Sequence, residues 1–129
     1  MRWLLLLPLL TGCAGVDFGR VEESLNYYAE NATKISALPK VLTSSALQSA
    51  TESAQLLERL KVRQSGIASF ELQEVSGGKA KGCLDFSKVQ FVGSSGEYLQ
   101  VQREPRVRFS ATYTPEFLIS ELKVSEQPC

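Results

Sequence analysis

Arg106-Val107-Arg108-Phe109-Ser110-Ala111-Thr112-Tyr113 is the stretch whose reading decides the fold. Val107, Phe109, Ala111 and Tyr113 alternate with Arg106, Arg108, Ser110 and Thr112, and a period of two is that of a strand with one buried and one solvated face. The same period holds upstream, where Ala68, Phe70 and Leu72 alternate with Ser69, Glu71 and Gln73, and Ser76-Gly77-Gly78 supplies a turn. A second strand is expected from Lys79 to about Val92. Its first part sets Ala80, Gly82, Leu84 and Phe86 against Lys79, Lys81, Cys83 and Asp85, and its phase shifts at Ser87, which predicts a bulge. Ser94-Ser95-Gly96 makes another turn, and Thr114-Pro115-Glu116 leads into a last strand over Phe117 to Val124.

Before Gly66 the period is helical. Val21, Leu25, Tyr28, Ala32 and Ile35 recur at helix spacing, and Pro39 ends or bends that helix because its ring clashes with the preceding turn. A second helix starts near Thr43-Ser44-Ser45, a cluster of good N-cap residues. Its expected inner stripe is Leu47, Ala50, Ala54, Leu57 and Leu60, and it closes on the basic tail Arg59, Lys61 and Arg63 ahead of Gly66. The expected class is α+β: two N-terminal helices packed on one face of a curved antiparallel sheet of about four strands.

The first thirteen residues have a different character. Arg2 precedes Trp3 to Leu10, an apolar run interrupted only by Pro8. The run is far shorter than the ~20 residues a membrane-spanning helix needs, and it suits the apolar part of a secretory signal. Leu10-Thr11-Gly12-Cys13 resembles the bacterial lipobox, in which small residues precede the cut and the cysteine thiol accepts a diacylglyceryl group. The expectation is a signal peptide over 1–12, lipidation of Cys13, a glycine-containing tether over 13–20 and a single domain over 21–129. Two or more acyl chains anchor stably, so the expected location is extracytoplasmic, at the outer face of a membrane or on an outer membrane.

Cys83 and Cys129 are then the remaining cysteines, and an even pair in an oxidising compartment is usually a disulfide. Fourteen basic side chains, one of them Arg2, stand against fourteen acidic ones, so no global field attracts nucleic acid. Histidine is absent, which removes Ser-His-Asp and Cys-His catalysis and histidine-based metal sites. Zinc held by cysteine alone needs more thiols than remain. No catalytic residue, metal or cofactor is expected. Asp85 is read as fixing the turn through Ser87 by a local hydrogen bond.

Local features add a resemblance. Tyr27 to Asn31 forms a Tyr-x-x-x-Asn core, followed by Leu38-Pro39 and a helix opening at Thr43-Ser44-Ser45. Cys83-Leu84-Asp85-Phe86-Ser87 looks like a Cys-x-Asp-x-Ser element, and the chain closes on a strand and Cys129. Together these resemble small secreted proteins and lipoproteins of actinobacteria with the nuclear-transport-factor-2-like (cystatin-like) cone fold, although Phe117 stands where that family usually has Trp. The resemblance implies a cone, open at one end, formed by helices on a curved sheet, and says little of activity.

Two groups of residues are candidates for binding. Arg103, Arg106 and Arg108 form a basic cluster suited to docking on an envelope protein or anionic lipid, or to keeping a strand face soluble. Tyr28, Phe70, Phe109, Tyr113 and Phe117 are expected to line a cavity or to fill the core. The function expected first is a non-enzymatic binding or interaction domain on a membrane-anchored envelope lipoprotein. The alternatives are a carrier of an apolar small molecule or lipid in the cone, and, behind it, a histidine-free hydrolase or isomerase.

Overall fold

The computed structural model describes the backbone of residues 2–129 and the side chains of residues 16–129. Among these residues the order is α1 (Arg2–Glu30), a 3-10 turn (Leu38–Lys40), α2 (Ser44–Leu60), β1 (Arg63–Ser65), β2 (Ser69–Ser76), β3 (Lys79–Asp85), β4 (Gln90–Val92), β5 (Tyr98–Leu99), β6 (Arg106–Tyr113) and β7 (Ile119–Pro128). No helix among the described residues is long and apolar enough to cross a membrane.

The strands form two separate sheets. One has four strands in the order β2-β3-β6-β7, all antiparallel, and the other has three short strands in the order β1-β4-β5. The expected cone is therefore corrected: neither sheet curves round or closes. The reason lies at Asp85. Its Oδ1 accepts the Ser87 amide at 2.8 Å, which turns the chain out of β3. The segment after it pairs with β1 and β5 rather than extending the main sheet. The phase shift at Ser87 is thus a break between two strands, not a bulge.

A bulge does exist, on β2. Leu72 faces Gly82 and Glu74 faces Lys81, so Gln73 is extra. The insertion restores Val75 to the inner face, where it packs against the core, and leaves Gln73 and Glu74 both polar-side. Gly82 is what lets the strands close there: a Cβ on it would lie 2.1 Å from the Glu71 carbonyl oxygen.

The core lies between the helices and one face of the four-stranded sheet. Val21, Leu25, Leu38 and Ile119 are fully buried, with Phe70, Leu84, Val107 and Phe109 in the same cluster. Each large apolar side chain so buried contributes roughly 1.5–3 kcal/mol. α1 lies against β2 and α2 against β7. Helix α1 ends at Glu30, well before Pro39, and there the Tyr27 carbonyl accepts from both the Asn31 backbone amide at 3.1 Å and the Asn31 side-chain amide at 2.9 Å. At its other end α1 runs on through 13–20, where two glycines suggested a tether, and Phe18 already packs on the core. The buried stripe of α2 is Ala46, Ala50 and Ala54, while Leu56 and Leu60 face solvent. Lys61, in the left-handed region at φ 55°, closes α2 in place of Gly66.

Candidate functional site

Helices cover one face of the four-stranded sheet, and the opposite face is open. Strand alternation puts Glu71 and Gln73 of β2, Lys81 and Cys83 of β3, Arg106, Arg108 and Ser110 of β6, and Lys123 of β7 on that outer face. They border a shallow, open hollow of about 580 Å³ whose lining includes Gln73, Lys81, Cys83, Arg108, Ser110 and Lys123. Register makes the arrangement definite. Lys81 is opposite Ser110, Ser110 is opposite Lys123, and Cys83 is opposite Arg108.

Cys83 is bonded to Cys129 with their Cα atoms 5.8 Å apart. The Cys129 amide donates to the Arg106 carbonyl at 3.1 Å, so the chain beyond β7 is held against β6. Gln73 reaches the same disulfide, its Nε2 lying 3.4 Å from the Cys83 sulfur. The bulge that added Gln73 thus places an amide at the floor of the hollow.

The charges on this face are unequally engaged. Arg106 is paired with Glu71 and also donates to the Cys129 carbonyl oxygen at 3.4 Å. The hydrogen bond and charge of Glu71 hold the Arg106 guanidinium above its ordinary pKa. Asp85 sits below the ordinary carboxylate range because Ser87 donates to it, with Arg106 and Lys88 adding positive charge nearby. Lys123 lies 3.6 Å from Glu121. Lys81 and Arg108 make no ion pair among the described residues.

Of the three arginines singled out in the sequence, Arg106 and Arg108 share the outer face and Arg103 does not. Its guanidinium lies 4.0 Å from the Phe86 ring centroid and 5.9 Å from that of Phe91, beside the small sheet. Burial there pushes its pKa down. Lys81 and Lys123 were not singled out. The alternation of Lys81 was visible, whereas Lys123 keeps the phase of the buried Ile119 until the irregularity at Ser120 shifts it outward, and only the register shows that both flank Ser110 beside Arg108.

The five candidate cavity residues form two packed groups. Phe70 meets Tyr28 at 6.2 Å and Phe109 edge-on at 5.1 Å. Tyr113 and Phe117 stack at 6.0 Å, with Arg20 4.8 Å over Phe117. Burial raises the pKa of the Tyr28 phenol. The cleft left beside Tyr28, Ala29, Phe70 and Phe86 holds about 140 Å³, against the ~300–1,000 Å³ of ordinary ligand pockets. The alanines of α2 bring the helix close to its neighbours rather than leaving a carrier's cavity.

Among the described residues no catalytic constellation is assembled. No carboxylate is buried, Ser24 being the one buried polar side chain, and no group of three or more His, Cys, Asp and Glu is placed to hold a metal. Cys13 lies outside the residues whose side chains are described.

No family profile matches the chain, and no curated protein matches it. Among solved structures, the chain is similar to the intermembrane-space region of the chloroplast protein ARC6, at 15% identity and a TM-score of 0.51, over 82% of this chain and 94% of that one. At that identity the likeness speaks for the fold alone. It overturns the resemblance to cystatin-like cone proteins, and identification as a lipoprotein of that group falls with it. The motifs that suggested the group have local causes. Asn31 closes a helix, and Asp85 and Ser87 close a strand, as such residues do in unrelated folds.

Proposed function

We propose that this chain is a non-enzymatic interaction domain of an exported, envelope-associated protein, and that it holds a partner protein on the outer face of its four-stranded sheet. The observation that carries this reading is the open hollow of about 580 Å³ on a sheet face that the helices leave bare. A hollow of this form suits a protuberance or strand of another protein better than a small molecule, which needs enclosure.

Three features support export. Arg2 and the apolar run Trp3 to Leu10 have the order of a secretory signal. The Cys83–Cys129 disulfide is a bond of oxidising compartments. The structurally similar region of ARC6 also lies in an intermembrane space. The finer form of the proposal, processing before Cys13 with lipid on its thiol, rests on Leu10-Thr11-Gly12-Cys13 alone.

The test is native size in a gently solubilised envelope fraction of the producing cell. The chain is expected to migrate as a complex larger than itself, and Ser110→Trp, which fills the centre of the hollow, is expected to return it to the size of the free chain. A complex that survives Ser110→Trp, or a chain that never exceeds its own mass, contradicts the reading.

A further inference from the structure

Resting on that reading of the outer face, we propose that the partner is held by an acidic, extended segment whose carboxylates lie against Lys81, Arg108 and Lys123. Lys81, Ser110 and Lys123 stand in one cross-strand row, which separates the two lysine Cα atoms by two strand spacings, about 10 Å. Arg108 is two residues along β6 from Ser110 and therefore on the same face, opposite Cys83. Three cations thus surround a hydroxyl in one hollow. An extended peptide turns every second side chain to the same face, about 7 Å apart, so acids at positions i and i+2 face the sheet together and the long lysine side chains reach inward to them.

The charge balance of the face points the same way. Glu71 is taken up by Arg106, and Asp85 by the Ser87 amide. Lys81 and Arg108 have no ion-pair partner among the described residues. Glu74 is opposite Lys81 in register without forming an ion pair. Unneutralised cations in a concave site focus a field that attracts anions and sets their orientation. The neutral groups of the lining, the Gln73 amide and the Ser110 and Ser125 hydroxyls, offer donors to a peptide carbonyl or carboxylate.

An anionic bilayer suits this face less well. Glu74 lines the same hollow and Glu121 stands 3.6 Å from Lys123, so a sheet of headgroups would meet acids as well as bases. A peptide can set its carboxylates between them.

The probe is a short fluorescent peptide of alternating glutamate and serine, titrated into the purified protein beside a glutamine–serine control and beside phosphatidylglycerol vesicles. The acidic peptide is expected to bind and the control not to, with amide shifts at Lys81, Ser110 and Lys123. Lys81→Glu with Lys123→Glu is expected to weaken binding about fivefold or more, and Lys81→Gln with Lys123→Gln to weaken it less. These are solvent-facing positions, and an unchanged thermal melt shows that the variants fold. Equal binding of the glutamine peptide, or vesicle binding without peptide binding, overturns the proposal. So does a native complex that persists undiminished in the double glutamate variant while Ser110→Trp abolishes it, an outcome that leaves the interaction surface standing and removes only its acidic partner.

Discussion

Cys129 lies 5.8 Å from Cys83, Cα to Cα, although β6 stands between the strand that bears Cys83 and the strand that leads to Cys129. Two strand spacings in the plane of a sheet would be about 10 Å. Cys129, the residue that follows Pro128, therefore bends out of the sheet plane on the outer face, over β6 and toward β3. The disulfide is at once a tie across the sheet and part of the floor of the hollow.

The tie closes a loop with a sequence separation of 46 residues, for which loop entropy gives about 4 kcal/mol. Cys83→Ser with Cys129→Ser is expected to lower unfolding stability by up to about that amount, read by denaturant titration. Hydrogen exchange should accelerate at Ser125 to Gln127 and stay slow in α1. An unchanged midpoint would show that the bond does not constrain the unfolded chain.

Gly82 leaves no room for a side chain between β2 and β3. Gly82→Ala is expected to cost about 3 kcal/mol, the upper range for overpacking, because the Cβ would meet the Glu71 carbonyl and the Phe109 ring edge, at 2.1 and 3.0 Å. A thermal melt measures it. Gly77→Ala has open space but a positive φ of 58°, and its cost should be the smaller, about 1 kcal/mol.

The turn between β6 and β7 is gripped by α1. Phe117 holds a φ of 64° without being glycine, and the Ser24 hydroxyl donates to its carbonyl at 2.7 Å. Ser24→Ala is expected to lower stability by about 1 kcal/mol through loss of that bond. Phe117→Gly relieves the backbone but loses the Tyr113 stack and the Arg20 contact, so its net effect should also be destabilising. A Phe117→Gly protein more stable than the parent would show that the ring contacts are worth less than the strain.

Acid sensitivity has one identifiable contributor here. The folded-state pKa of Asp85 is depressed by Ser87, so its contribution to stability is present above the unfolded-chain value of about 3.9 and is lost as pH falls through the folded value. Asp85→Asn is expected to flatten the stability curve below about pH 4 and to leave its alkaline side unchanged. An acid limb identical to that of the parent would rule Asp85 out as a contributor.

The period-two pattern of Arg106 to Tyr113 places β6 correctly, with Val107 and Phe109 inward and Arg108 and Ser110 outward, because alternation reports burial directly. The turn at Asp85 and Ser87 was also legible, since it depends on residues two apart. The split into two sheets was not. It depends on β4 pairing with β1, some 25 residues upstream, and nothing local to Gln90–Val92 records that partner. The candidate site was legible in part for the same reason. Lys81 is solvent-side by alternation, but the outward face of Lys123 depends on the irregularity at Ser120, and the convergence of the two on Ser110 is a property of two registers.

The most direct measurement for the central claim is site-specific photocrosslinking in the producing cell, with the photoreactive residue at Ser110 in the hollow or at Leu56 on the solvent side of α2. The account expects a discrete adduct with one protein from Ser110, identified by mass spectrometry, and none of that adduct from Leu56. An adduct from Leu56 alone, or none from Ser110, would contradict the outer sheet face as the surface on which this domain works.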